Sequence, residues 1–145
     1  MNAQVALGKL RHSLFQPPDT PRRILVVDDH DAVRRLVARL LTRAGYEVES
    51  ACDGEDAIET FRTSKFDLVV SDVRMSGMSG PRLIEQLRRF DADVKVLYLT
   101  GYADQLFVER APLWEHESFL DKPFSTPGLL QSVSLALFGR IQKTT

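Results

Sequence analysis

Residues 24–33 read ILVVDDHDAV: four apolar residues, then the adjacent carboxylates Asp28 and Asp29, with Asp31 two residues further on. The run that starts at Arg23 is a short continuous apolar strand, the kind buried on both faces of a parallel sheet. Ending it in paired acids is unfavourable, because two like charges ~4 Å apart repel by about 4 kcal/mol at an effective dielectric of 20. Something close to the strand end must make them tolerable. The next segment is helical. In DAVRRLVARLLTRAG, residues 31–45, the apolar side chains of Val33, Leu36, Val37, Leu40, Leu41 and Ala44 recur at helical spacing, and Gly45 supplies the stop.

The same unit repeats along the chain. YEVESA (46–51) alternates as a strand, and DGEDAIETFRTS (53–64) is a helix with Ala57, Ile58 and Phe61 inward. KFDLVVSDV (65–73) is a further apolar strand. SGPRLIEQLRRF (79–90) opens with Ser79 or Gly80 as cap and Pro81 in the first turn, where proline is favoured. DVKVLYLTG (93–101) is a fourth strand, YADQLFVERA (102–111) a weaker helix cut short by Pro112, ESFLDKP (117–123) a fifth strand, and STPGLLQSVSLALFG (125–139) a last helix. Such alternation predicts an α/β fold: a single doubly wound, five-stranded parallel sheet with helices on both faces, since parallel strands need right-handed crossovers. Residues 1–21, with Val5, Leu7, Leu10 and Leu14 ahead of a proline-broken QPPDTP, are expected to be an extension or linker. The domain is expected over 22–140, with 141–145 as a tail.

Composition narrows the function. At 145 residues, 43% hydrophobic and 27% charged, the chain suits one globular domain. A net charge of −1 gives no footing on DNA, and no apolar run approaches a membrane span or a signal peptide, so a cytoplasmic protein is expected. Cys52 stands alone and is expected to be a small buried residue; His12, His30 and His116 lack the spacing of a helical metal site. Trp114 reads as packing, and Asp31 as a negative charge in the first turn of its helix.

In a doubly wound sheet the ligand site lies beyond the carboxyl ends of the strands, at the point where strand order reverses. Asp28 and Asp29 end the first strand, Asp72 the third and Thr100 the fourth, and Lys122 follows the fifth. All should face one crevice. Three carboxylates against one ammonium leave a deficit of positive charge that a hard divalent cation such as Mg²⁺ would meet, leaving room for phosphate oxygens. Asp72 could then act as a nucleophile, forming an aspartyl phosphate, with Lys122 and the Thr100 hydroxyl donating to the transferred oxygens.

The segments ILVVDD (24–29), DLVVSDVRMSGMSG (67–80), VLYLTG (96–101) and FLDKPF (119–124), in this order and at these strand ends, resemble the receiver domain of two-component response regulators. TGYAD and FLDKPF are similar to receivers attached to hybrid histidine kinases. The resemblance implies the flavodoxin-like strand order 2-1-3-4-5 and Asp72 as phosphoacceptor. It implies Mg²⁺ held by Asp29 and Asp72, with Asp28 assisting largely through water and the Arg74 backbone carbonyl as a further ligand. Thr100 and Phe119 would be the switch pair, and Lys122, followed by a cis Pro123, the phosphate-binding lysine. The implied partner is a histidine kinase or histidine phosphotransfer protein, docking near the outward Ala32, Arg35 and Arg39; a homodimer on activation is compatible with this. With few residues after the last helix, output by protein contact or further phosphoryl transfer is expected. Two departures stand out. Ser76 replaces a proline common in the family, and Phe119 lacks the hydroxyl of the common tyrosine.

Two other readings compete. Asp29, Asp31 and Val33 form D-x-D-x-V, similar to the first motif of haloacid-dehalogenase-type, Mg²⁺-dependent phosphatases, with Asp29 as nucleophile and Thr100 and Lys122 in support. That assignment leaves Asp72 without a role and lacks the later acidic pair. Alternatively, the same fold serves as a phosphorylation-independent interaction module.

Overall fold

The computed structural model describes residues 20–101 and 116–139. Five strands, β1 (Arg23–Val27), β2 (Glu47–Ala51), β3 (Leu68–Asp72), β4 (Val96–Thr100) and β5 (Glu117–Asp121), form one parallel sheet in the order β2-β1-β3-β4-β5. The described helices are α1 (Asp31–Arg43), α2 (Gly54–Thr63), α3 (Gly80–Leu87) and α4 (Thr126–Phe138). The expected fold class and strand order are both present.

Alternating side chains along each central strand reach opposite faces, which is why these strands read as unbroken apolar runs. Leu25, Val27, Val69 and Tyr98 face one way and pack with Ala57 and Phe61 of α2 and Leu83, Ile84 and Leu87 of α3. Ile24, Val26, Leu68, Val70, Leu97 and Leu99 face the other way, against Val37 and Leu41 of α1 and Leu129 and Val133 of α4. The sheet is thus clamped between two cores, and its strand ends are held in fixed register.

Local signals act as their chemistry dictates. Ser79 caps α3 by accepting the Arg82 N–H, Pro81 sits in the first turn, and Gly45 takes the left-handed φ of +102° that ends the turn after α1. Asp31 lies in the first turn of α1, where its carboxylate meets Arg34 at 2.6 Å.

On α1, Leu36 is 46% exposed and Ala44 is an exposed C-cap, while Val37 and Leu41 are the buried residues. One expectation needs correction. Cys52 is exposed, since it lies just past the end of the edge strand β2. The expected helix at 102–111 with Pro112, the packing of Trp114, residues 1–19 of the extension and the 141–145 tail lie outside the described residues. No helix among the described residues is long and apolar enough to cross a membrane.

Candidate functional site

The carboxyl edge of the sheet gathers the acids. The Asp28 N–H continues the β1 ladder by donating to the Ala51 carbonyl at 3.3 Å, which carries the Asp28 side chain into the interior at 2% exposure. Its Oδ1 accepts the His30 N–H at 2.9 Å, and its carbonyl accepts from the Arg34 guanidinium at 2.9 Å. Asp29 is held from across the crevice: the Ser76 N–H, on the loop after β3, donates to its Oδ2 at 3.0 Å. Asp29 Oδ1 is buried and receives no hydrogen bond among the described residues.

Asp72 ends β3 and is 5% exposed, with its Oδ1 accepting the Val73 N–H at 2.9 Å. Lys122 reaches both strands: its Nζ lies 3.4 Å from Asp28 Oδ2 and 3.5 Å from Asp72 Oδ1. The lysine is anchored by its own N–H, which donates to the Thr100 carbonyl at 3.0 Å at the end of β4, and a cis peptide follows it at Pro123. Burial pushes the Asp72 carboxyl above the ordinary carboxylate range, and Asp28 adds to this; Lys122 and the Val73 N–H oppose it. The three acids are thus tolerated because one ammonium and the backbone N–H groups of His30, Ser76 and Val73 converge on them.

Backbone approach is close here as well. The Gly80 N–H donates to the Val73 carbonyl at 2.8 Å, and a Cβ on Gly80 would lie 2.3 Å from the Asp72 carbonyl oxygen. Glycine at the start of α3 is therefore a requirement of the space beside Asp72.

Asp28, Asp29, Asp72 and Lys122 come together as the sequence predicts. Thr100 is fully buried at the end of β4. Phe119 lies on the edge strand β5, in register with Tyr98 and 37% exposed. Arg74 is exposed on the loop after Asp72. His30 was missed: its ring, treated as one of three scattered histidines, lies with Nδ1 3.2 Å from Asp29 Oδ1 and 3.4 Å from Asp28 Oδ1. The available signal was its adjacency to paired acids at a strand end. One ligand atom from each of Asp28, Asp29, His30 and Asp72 lies within 4.8 Å of the others.

This donor set fits a divalent cation. It is rich in carboxylate oxygen, short of positive charge, and includes a buried oxygen, Asp29 Oδ1, with no hydrogen bond to satisfy it.

Comparison with known proteins agrees with the geometry. Residues 24–134 match the response regulator receiver domain family. The sensor kinase CckA of Brucella abortus is 39% identical over 112 residues, covering 76% of this chain and 12% of that protein. The chemotaxis protein CheY of Treponema pallidum is 31% identical, with 84% of this chain and 87% of CheY covered. Among solved structures, the response regulator TrrA of Thermotoga maritima, in complex with Mg²⁺-BeF, superposes with a TM-score of 0.71 at 33% identity, covering 80% of this chain and 99% of that one.

Proposed function

The chain belongs to the response regulator receiver family, and on that premise we propose that it takes a phosphoryl group from a phosphohistidine partner onto Asp72. The observation that carries this is the position of Lys122, whose Nζ is within 3.5 Å of Asp72 and 3.4 Å of Asp28, so that one ammonium spans the ends of β1 and β3.

The bonds that hold Asp72 fall on Oδ1, so Oδ2 is the attacking oxygen. The Oδ2–P bond forms as the P–N bond to the partner's imidazole breaks, and the departing ring nitrogen takes up a proton. The Lys122 ammonium, already between Asp28 and Asp72, neutralises charge on the transferred oxygens, and the Thr100 hydroxyl donates to one of them. Asp29 and Asp72 would hold Mg²⁺, with Asp28 acting through water and the Arg74 carbonyl as a further ligand. When bound, Mg²⁺ supplies the positive charge that lets a phosphoryl group enter among three carboxylates. The buried position of Asp72 shields the acyl phosphate from water.

Movement of Thr100 toward the new phosphoryl group frees space for Phe119 to turn inward from its exposed position, so signalling is a change at β4 and β5. The partner is a histidine kinase or histidine phosphotransfer protein. It docks on the outer face of α1, where Ala32, Arg35, Leu36 and Arg39 are exposed beside the crevice. The receiver unit is taken as residues 22–140, preceded by a linker.

The test is labelling by acetyl phosphate. The wild-type chain incorporates label with Mg²⁺ and loses that capacity in EDTA or as Asp72→Ala. Undiminished labelling of Asp72→Ala overturns the assignment.

A further inference from the structure

His30 occupies the N-cap position of α1, yet its side chain makes no capping hydrogen bond. Its backbone is pinned by the bond from its N–H to Asp28 Oδ1 at 2.9 Å, and its imidazole lies against the acids instead. Nδ1 is 3.2 Å from Asp29 Oδ1 and 3.4 Å from Asp28 Oδ1. Around a cation with ligand bonds of ~2.1 Å, adjacent ligand atoms are about 3.0 Å apart in an octahedron and about 3.4 Å apart in a tetrahedron. The 3.2 Å between Nδ1 and Asp29 Oδ1 falls between these values, as for neighbouring ligands about one ion.

A second observation concerns the oxygen itself. Asp29 Oδ1, the oxygen nearest Nδ1, is buried and accepts no hydrogen bond, while the Ser76 N–H fixes the other oxygen at 3.0 Å. An oxygen held in this way is placed to bind a cation.

We propose that His30 is an additional metal ligand that gives this site a preference for first-row transition-metal dications over Mg²⁺. The proposal rests on the reading of the acids as a divalent-cation site. Mg²⁺ demands oxygen and gains little from an imidazole, whereas Zn²⁺ and its neighbours bind imidazole well. The Asp29 and Asp72 carboxylates with one histidine make a mixed oxygen–nitrogen set of the latter kind. The ring is 70% exposed, so it can swing onto an ion that accepts nitrogen and away from one that does not. The identity of the bound metal then decides whether His30 stands in the mouth of the crevice.

Zn²⁺ is the probe. Calorimetric titration of the full chain with Zn²⁺ and with Mg²⁺, as wild type and as His30→Ala, gives the ratio of the two affinities. Displacement of Zn²⁺ by excess Mg²⁺ establishes that the ions share a site. Replacing His30 lowers the Zn²⁺-to-Mg²⁺ affinity ratio about tenfold or more, the usual effect of altering the surroundings of a bound metal. In NMR spectra, the His30 ring nitrogens shift on adding Zn²⁺ and not on adding Mg²⁺. A ratio unchanged within about twofold, or ring nitrogens that stay put while Zn²⁺ binds, overturns the role of His30. Failure of Mg²⁺ to bind either protein instead overturns the underlying assignment of the acids.

Discussion

Gly80→Ala adds one methyl group at the place where α3 begins and β3 ends. That carbon would lie 2.3 Å from the Asp72 carbonyl oxygen and 3.2 Å from both the Asp72 carbonyl carbon and Ser71 Oγ. Relief cannot come from a flexible side chain, because the obstacle is backbone. Asp72 is in register with Leu99 of β4, and its carbonyl already accepts the Ser71 hydroxyl at 2.8 Å. Reaching ordinary contact requires a shift of roughly 1 Å in one of the two backbones, an overpacking that costs about 1–3 kcal/mol. Losing the Ser71 hydrogen bond adds about 1 kcal/mol. At about 4 °C per kcal/mol for a domain of this size, Tm falls by roughly 8–16 °C.

The same displacement moves the proposed nucleophile, and a misplacement of ~1 Å at a reacting centre costs about 100-fold in rate. The assay is a thermal melt paired with acetyl phosphate labelling at a temperature where both proteins are folded. Gly101→Ala serves as control, since a Cβ there meets nothing within 4 Å among the described residues. If Gly80→Ala melts and labels like the control, the close approach of α3 to Asp72 does not position it.

In EDTA, Asp72→Asn melts a few degrees above wild type, because burial and Asp28 raise the folded pKa of this carboxyl above its unfolded 3.8 and its ionised form is held at a cost near neutrality. Between 3.8 and the raised value the native state binds the extra proton, so wild-type stability falls as pH rises through that window; the Asn variant lacks this slope, which a series of melts from about pH 4 to neutrality measures. Lys122→Met leaves Asp28 and Asp72 facing each other without their ammonium. Breaking a buried pair costs about 3–5 kcal/mol, and a lysine that is partly exposed brings this nearer 2 kcal/mol in a urea melt, part of which Asp72→Asn restores. Arg35→Glu changes stability by less than about 0.5 kcal/mol, being exposed on α1, and slows transfer from a phosphohistidine donor more than labelling by acetyl phosphate. Equal slowing with both donors would put the docking surface elsewhere.

Asp28, Asp29, Asp72 and Lys122 were legible because each interrupts an apolar strand at its carboxyl end, and parallel topology sends all such ends to one edge. The cores were legible for the same reason: Leu68, Val69 and Val70 must be buried on both faces if three consecutive apolar residues occupy a strand. The exposure of Leu36 was not legible, since helical spacing alone does not fix the width of the buried stripe. Cys52 misled because burial of a free thiol is a general tendency, whereas this one follows an edge strand. The Ser76 bond to Asp29 was invisible since its donor is backbone, joining residues 47 positions apart. Gly80 read as a cap candidate; only the fold shows a carbonyl where its side chain would go.

Whether Asp72, and no other acid in the cluster, receives the phosphoryl group is tested most directly by trapping the acyl phosphate. Borohydride reduction of the phosphorylated chain converts an acylated aspartate to homoserine, and peptide mass spectrometry then locates it. Homoserine is expected at position 72 alone, dependent on Mg²⁺ during labelling. Homoserine at position 29, with Asp72 unmodified, would contradict this and favour the phosphatase chemistry in which Asp29 is the nucleophile.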